Sequence, residues 1–114
     1  MAKKETIAFE YPKGEYRVWP PMVRIKHGDD LEVANITGKA IEVRFGKDVM
    51  EDPDTGEPDP DAKMPVDNGH KGQRRVHAEA AIGAHEYLVV VKSKKGKRNK
   101  KAKGNSDPVM IVEN

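Results

Sequence analysis

The stretch MVRIKHGDDLEVANITGKAIEVRF, Met22 to Phe45, decides the fold. Val23 and Ile25 alternate with Arg24 and Lys26, Leu31 and Val33 continue the series, and Ile41, Val43 and Phe45 repeat it. Period-two alternation of this kind marks half-buried strands. Between the runs, His27-Gly28-Asp29-Asp30 and Asn35-Ile36-Thr37-Gly38-Lys39 supply turn chemistry: glycine tolerates positive φ, and Asp or Asn side chains bond to nearby backbone. Three successive strands with such short links predict an antiparallel β-meander.

On the N-terminal side, Thr6 to Tyr11 reads as another half-buried strand, with Ile7, Phe9 and Tyr11 as its apolar face and Thr6, Ala8 and Glu10 opposite. Tyr16 to Trp19 begins a short extended piece. Pro20-Pro21 then removes ladder donors, which predicts an edge strand or a switch between sheets. Trp19 is expected to pack in the core or at its rim. On the C-terminal side, Arg74 to Ala80 alternates weakly and Gly83 breaks the pattern. His85 to Lys92 is the strongest strand, with Tyr87, Val89 and Val91 on one face and Leu88 and Val90 on the other. Apolar residues on both faces predict a central strand or one at a sheet crossing. Pro108 to Glu113 closes the chain as a final strand.

Two charged loops interrupt this order. From Lys47 to Gly72 alternation stops, and half of residues 48–61 are acidic: Asp48, Glu51, Asp52, Asp54, Glu57, Asp59 and Asp61. Pro53, Pro58 and Pro60 exclude a regular helix or a central strand there. The second loop, Lys92 to Asp107, opens with eight Lys or Arg in twelve residues. The formal net charge of +2 therefore conceals an acidic and a basic pole.

At 114 residues, with 36% apolar and 35% charged, the chain has the size of one domain with a modest core. No apolar run approaches the ~18–20 residues of a spanning helix. Met1 to Glu5 leads straight into a strand pattern, so the expected compartment is the cytoplasm, although a trimmed export signal would leave the same sequence. The chain has no cysteine, which excludes disulfides, thiolate metal sites and cysteine nucleophiles. About seven short strands without a convincing helix predict an all-β Greek-key sandwich, with an OB-type barrel as the rival.

Taken in order, the Val23 to Asp29 strand and turn, Asn35 to Gly38 leading into Val43 to Phe45, the Glu86-Tyr87 pair and the closing Pro108 to Glu113 strand resemble the cupredoxins, the plastocyanin- and azurin-type sandwiches. The resemblance covers about residues 22–114. It implies a copper-ligating histidine at the position of Ile41, a cysteine at that of Val91, and a second histidine and a methionine in the following loop. Here that loop is lysine-rich and without histidine, and Met110 falls inside the last strand. Type 1 copper needs a thiolate and imidazoles converging in one plane. With aliphatics at both positions, the resemblance implies the scaffold without its copper, and Ile41 and Val91 as extensions of the core. Copper-free relatives of this fold, such as ephrin ectodomains, are interaction modules, so it implies binding more readily than catalysis.

Other chemistry is sparse. His27, His70, His77 and His85 form no His-x-His or His-x₃-His pair; a contact of His77 with His85 across Gly83 is the one arrangement that would gather two for a metal, against hydrogen-bonded or solvated rings. The acidic loop departs from the calcium-loop pattern at Thr55-Gly56 and lacks its closing glutamate. No nucleophile elbow or phosphate-cradling glycine motif is present. The expectation is therefore a non-catalytic protein without a cofactor, catalytic residue or metal site, whose partners are another protein or further copies of itself. The candidate binding residues are Lys94, Lys95, Lys97, Arg98, Lys100, Lys101 and Lys103. Nucleic acid or another polyanion is the alternative ligand, although no aromatics interleave these cations to stack bases. Metal binding by histidines and carboxylates outside the type 1 pattern is a further alternative. No small-molecule substrate is indicated.

Overall fold

The computed structural model describes residues 2–11, 15–92, 100–102 and 107–114, with 100–102 described for the backbone alone. These residues form eleven strands: β1 (Lys3–Tyr11), β2 (Glu15–Trp19), β3 (Met22–Lys26), β4 (Asp30–Ile36), β5 (Ile41–Arg44), β6 (Lys63–Val66), β7 (Lys71–Arg75), β8 (Gly83–Glu86), β9 (Leu88–Val91), β10 (Lys100–Ala102) and β11 (Val109–Glu113). One layer is β2-β1-β4-β7. The other comprises β3-β11-β8 and β10-β9-β5-β6, joined where the chain passes from β8 to β9 through Tyr87. The result is a Greek-key sandwich, and the OB-type alternative falls.

The expected meander does not form. β3, β4 and β5 each belong to a different ladder, and two long-range pairings are parallel: β1 with β4, and β3 with β11. The reason lies in the turns, which arch between layers instead of closing hairpins. Gly28, at φ 83°, donates its N–H to Val76 O (3.0 Å), so that turn is tied to a distant segment. Asp29 accepts from the amides of Lys26 (3.3 Å) and Ala2 (3.0 Å), pinning the start of β1 beside it. The proline pair does switch sheets, with β2 an edge of the first layer and β3 in the second. The strong strand at 85–92 is likewise a sheet crossing, divided at the buried Tyr87.

Five boundaries and faces differ from the sequence reading. In β1 the buried residues are Thr6 and Ala8, while Ile7 and Tyr11 are exposed. Small inward residues suit this central strand, because Thr6 lies by the Tyr87 phenol and needs little depth. Trp19 is exposed on the outer face of β2 and not in the core. The acidic loop 47–72 contains β6, which accommodates Pro65 because it is an edge strand and has a side without ladder bonds. The strand expected from Arg74 to Ala80 lies at Lys71–Arg75, and Val76 continues it only as a bridge to Met50. Within the basic loop 92–107, β10 pairs antiparallel with β9.

The core lies between the layers. Leu31, Val33, Ile25, Met110 and Val112 fill one part and Ile41, Val43, Val89, Val91 and Met64 the other, with the Phe45 and Tyr87 rings tilted 34° at 5.9 Å between centroids. The layers approach closely at Gly72, where a Cβ would stand 2.8 Å from Val66 Cγ2 and 2.9 Å from Met64 Sδ.

Candidate functional site

The end of the sandwich carrying Ile41 is organised by one buried polar residue, Asn35. Its Nδ2 donates to the carbonyls of Lys39 (2.7 Å) and Val66 (2.9 Å), and its Oδ1 accepts from the Thr37 amide (3.0 Å) and hydroxyl (2.7 Å). Its backbone N–H and C=O reach His70 O (2.9 Å) and Gly69 N (2.7 Å). A fully buried amide is stable only with its bonds made, and here both of its side-chain polar atoms are satisfied. One residue thereby links the β4–β5 turn and β6 through its side chain and the β6–β7 turn through its backbone. Asn68 Oδ1 adds a bond from the Gly38 amide at 2.8 Å.

This brace sets the start of β5, where Ile41 is the ladder partner of both Val91 on β9 and Val66 on β6. Ile41 and Val91 are each 1% exposed. The two positions singled out in the sequence are thus brought face to face, and what meets there is hydrocarbon. A type 1 copper ion does not fit this donor set: neither side chain has a lone pair, and the chain has no cysteine to supply a thiolate. Met110 is not brought to the pair either, since it sits on β11 opposite Val23 and His85.

The titratable groups that depart from their ordinary values are explained by packing. Burial pushes the Tyr87 phenol up to about 12, against a smaller downward pull from Thr6, and its hydroxyl finds no hydrogen-bond partner. The hydrogen bond from Arg44 (2.6 Å) holds Glu42 below the usual carboxylate range, with Lys92 Nζ adding its charge at 3.8 Å. The Ala2 amide does the same for Asp29.

Three of the four histidine rings are hydrogen-bonded to backbone rather than to one another. His27 Nε2 meets Ala80 O at 2.7 Å, His85 Nε2 meets Ala81 O at 2.7 Å, and His77 Nδ1 accepts from the Glu79 amide at 3.1 Å. Among the described residues, no three His, Asp or Glu side chains converge on a common point suited to a metal ion.

The acidic segment is built into the sandwich: Val49 and Met50 enter the core, Glu51 bridges Pro58, and the carboxylates of Asp52 and Asp59 cap local turns. Against it lies an open cleft of about 470 Å³ bordered by Asp30, Glu51, Asp52, Gln73, Arg74 and Arg75. The sequence reading did not place Arg74 and Arg75 there. The signal was the adjacent arginine pair itself, but only the bridge of Met50 to Val76 brings it to the acidic loop. Asp54, Glu57 and Asp61 remain exposed. Of the candidate binding residues, Lys94, Lys95, Lys97, Arg98 and Lys103 lie outside the described residues, and Lys100 and Lys101 are placed in β10 by their backbone.

A two-layer Greek key whose ligand positions are filled by an opposed aliphatic pair is a cupredoxin-like sandwich lacking the type 1 copper ligands. Solved structures agree on the fold. Amicyanin from Paracoccus versutus (Thiobacillus versutus) superposes with a TM-score of 0.54 at 15% identity, over 97% of this chain and 81% of that one. A purple cupredoxin from Nitrosopumilus maritimus gives 0.52 at 12% identity, over 96% and 99%. A variant amicyanin in the Cu(I) state gives 0.53 at 14%, over 97% and 82%. No family model and no curated protein matches the chain.

Proposed function

We propose that this chain is a non-catalytic binding or assembly module that acts through its charged loops. The observation that carries the reading is the opposed, buried Ile41–Val91 pair, because the position where the scaffold would hold a reactive metal is given over to packing. What remains for recognition is surface. There the sequence concentrates seven carboxylates in residues 48–61 and eight cations in residues 92–103. Opposite poles on one molecule favour head-to-tail contact between copies, a heterologous arrangement that grows into rings or filaments, or contact with a partner of matching charge.

Sedimentation of the full chain at about 0.05 M and about 0.5 M salt tests this, since exposed charges more than a Debye length apart are screened at the higher value. Salt-dependent association that disappears in a Lys94→Ala, Lys95→Ala, Lys100→Ala, Lys101→Ala variant is expected. A monomer at both salts that also captures no protein partner sinks the reading. If the same four substitutions instead abolish a salt-sensitive complex with heparin or DNA, the ligand is a polyanion.

A further inference from the structure

The outer face of β2-β1-β4-β7 plays no part in the loop reading. The strand registers lay its outward residues in cross-strand rows. One row reads Trp19, Ile7, Ala34, Lys71 and the next reads Arg17, Phe9, Ile36, with Tyr11 beyond. Trp19 is 64% exposed, Ile36 61%, Tyr11 44% and Ile7 41%. For side chains of roughly 150–250 Å² these exposures leave about 400 Å² of contiguous apolar surface, well inside the size range at which exposed patches are often functional.

Among the described residues, the charges that frame this patch cancel. Lys3 pairs with Glu32 (3.1 Å) and Glu5 (3.8 Å), Lys71 with Glu32 (3.6 Å), Arg75 with Asp30 (3.6 Å) and Arg17 with Glu15 (3.6 Å). Four cations meet four carboxylates on the same face. Arg17 also lies 4.1 Å over the Tyr11 ring.

We propose that this face is an isologous interface with a second copy of the chain, sheet packed on sheet. Three observations select that occupant. A two-fold contact brings each surface against its own duplicate, which is repulsive for a patch of one sign and costs little for a frame whose charges cancel. The same neutrality gives a nucleic acid or an anionic membrane nothing to hold. The area is also large enough: about 400 Å² of apolar surface would supply about half of the about 800 Å² per partner of a stable interface, the paired charges supplying the polar rim. Finally, the first row complements its own reverse. A two-fold axis along the strands lays Ile7 over the second copy's Ala34, Trp19 over its Lys71 and Phe9 over its Ile36; the carboxylates of Glu5 and the second copy's Glu32, which the same axis brings together, are each paired with lysine within their own chain.

The test is sedimentation velocity of the full chain from about 5 to about 500 µM, since dimerisation follows mass action. The dimer is expected to have the same Kd within about threefold at 0.1 and 0.5 M salt, because its core is apolar and its charges are already paired. Ile36→Lys and, separately, Trp19→Ser are expected to weaken it at least about a hundredfold, each change being felt twice across the axis. Both residues are solvent-exposed in the single chain, so the melting temperature of dilute protein should not move. A monomer throughout the concentration range overturns the proposal. So does a dimer that survives both substitutions, or association that 0.5 M salt abolishes, the last being the signature of the charged loops instead.

Discussion

Replacing Asn35 by Ala removes four side-chain hydrogen bonds of 2.7–3.0 Å from a site with no solvent access. At about 0.5–1.5 kcal/mol net per bond the gross loss is about 2–6 kcal/mol. Two of the groups released can satisfy each other, because Lys39 O lies 2.9 Å from the Thr37 hydroxyl, whose single proton turns to it once Asn35 Oδ1 is gone. The Val66 carbonyl and Thr37 amide lose their side-chain partner. The expected cost is therefore about 3 kcal/mol, a large share of the about 5–15 kcal/mol of a typical domain. With a urea slope near 1.5 kcal/mol/M, the midpoint should fall by about 2 M at unchanged slope. Asn35→Asp sharpens the test, since it keeps the acceptor for Thr37 but turns an oxygen toward the Lys39 and Val66 carbonyls. It should be at least as destabilising at pH 7 and recover part of the loss in acid, where a protonated carboxyl can donate once more. A midpoint shift below about 0.5 M for Asn35→Ala, or Asp tolerated at neutral pH, would refute the claim that this amide holds the end of the sandwich.

Four further outcomes are expected. Gly72→Ala should cost about 1–3 kcal/mol in urea unfolding, because the new methyl meets Val66 and Met64 at under 3 Å, and adding Met64→Ala should cost less than the sum of the two changes. Tyr87→Phe should be neutral or stabilise by about 1 kcal/mol, since it deletes a buried hydroxyl without a partner. The phenol is raised from 10 to about 12 in the folded chain, so the unfolded chain loses its proton first and wild-type stability should fall between pH 10 and 12, a slope that is smaller in the Phe variant. Asp29 is held below the usual carboxylate range, so its stabilisation is present above the unfolded value and lost as pH falls through the folded one; the gap in melting temperature between wild type and Asp29→Asn should close in acid. Val91→Cys should give a thiol that reacts with a maleimide only at the rate of unfolding, and fast labelling of the native protein would show that the 41/91 end is open.

Local chemistry was legible and pairing was not. Each run from Met22 to Arg44 is a strand, the proline pair switches sheets, and Ile41 and Val91 are core, all because alternation, turn residues and missing donors act within a few residues of chain. Alternation says which residues share a face, however, and not which face turns inward. In β1 the inward face carries Thr6 and Ala8, and Thr6 lies by the phenol of Tyr87, some eighty residues away. The parallel partners of β1 and β3 are equally remote. Pro65 disguised β6 as loop, since the sequence does not reveal that an edge position spares it a ladder bond. Arg74 and Arg75 were visible as charges, but their place beside Glu51 and Asp52 depends on a bridge between distant segments.

The structural basis for the proposed release of the loops from metal chemistry is also local. A sandwich that relied on an ion to hold its ligand turns would leave those turns unpaired without it. Here Asn35, Thr37 and Asn68 satisfy the β4–β5 turn through protein hydrogen bonds alone, and Ile41 and Val91 close the end with hydrocarbon. In the proposed reading residues 92–107 need present neither imidazole nor thioether, which leaves the sequence free to carry its eight cations there. The two association surfaces proposed above would obey opposite salt laws. Contacts of the kind proposed for the loops would be made by charge and would weaken as ionic strength rises, whereas the β2-β1-β4-β7 face carries counter-charges within itself and would associate through apolar area. A salt titration of a single sample therefore separates the contributions of the two surfaces before any residue is changed.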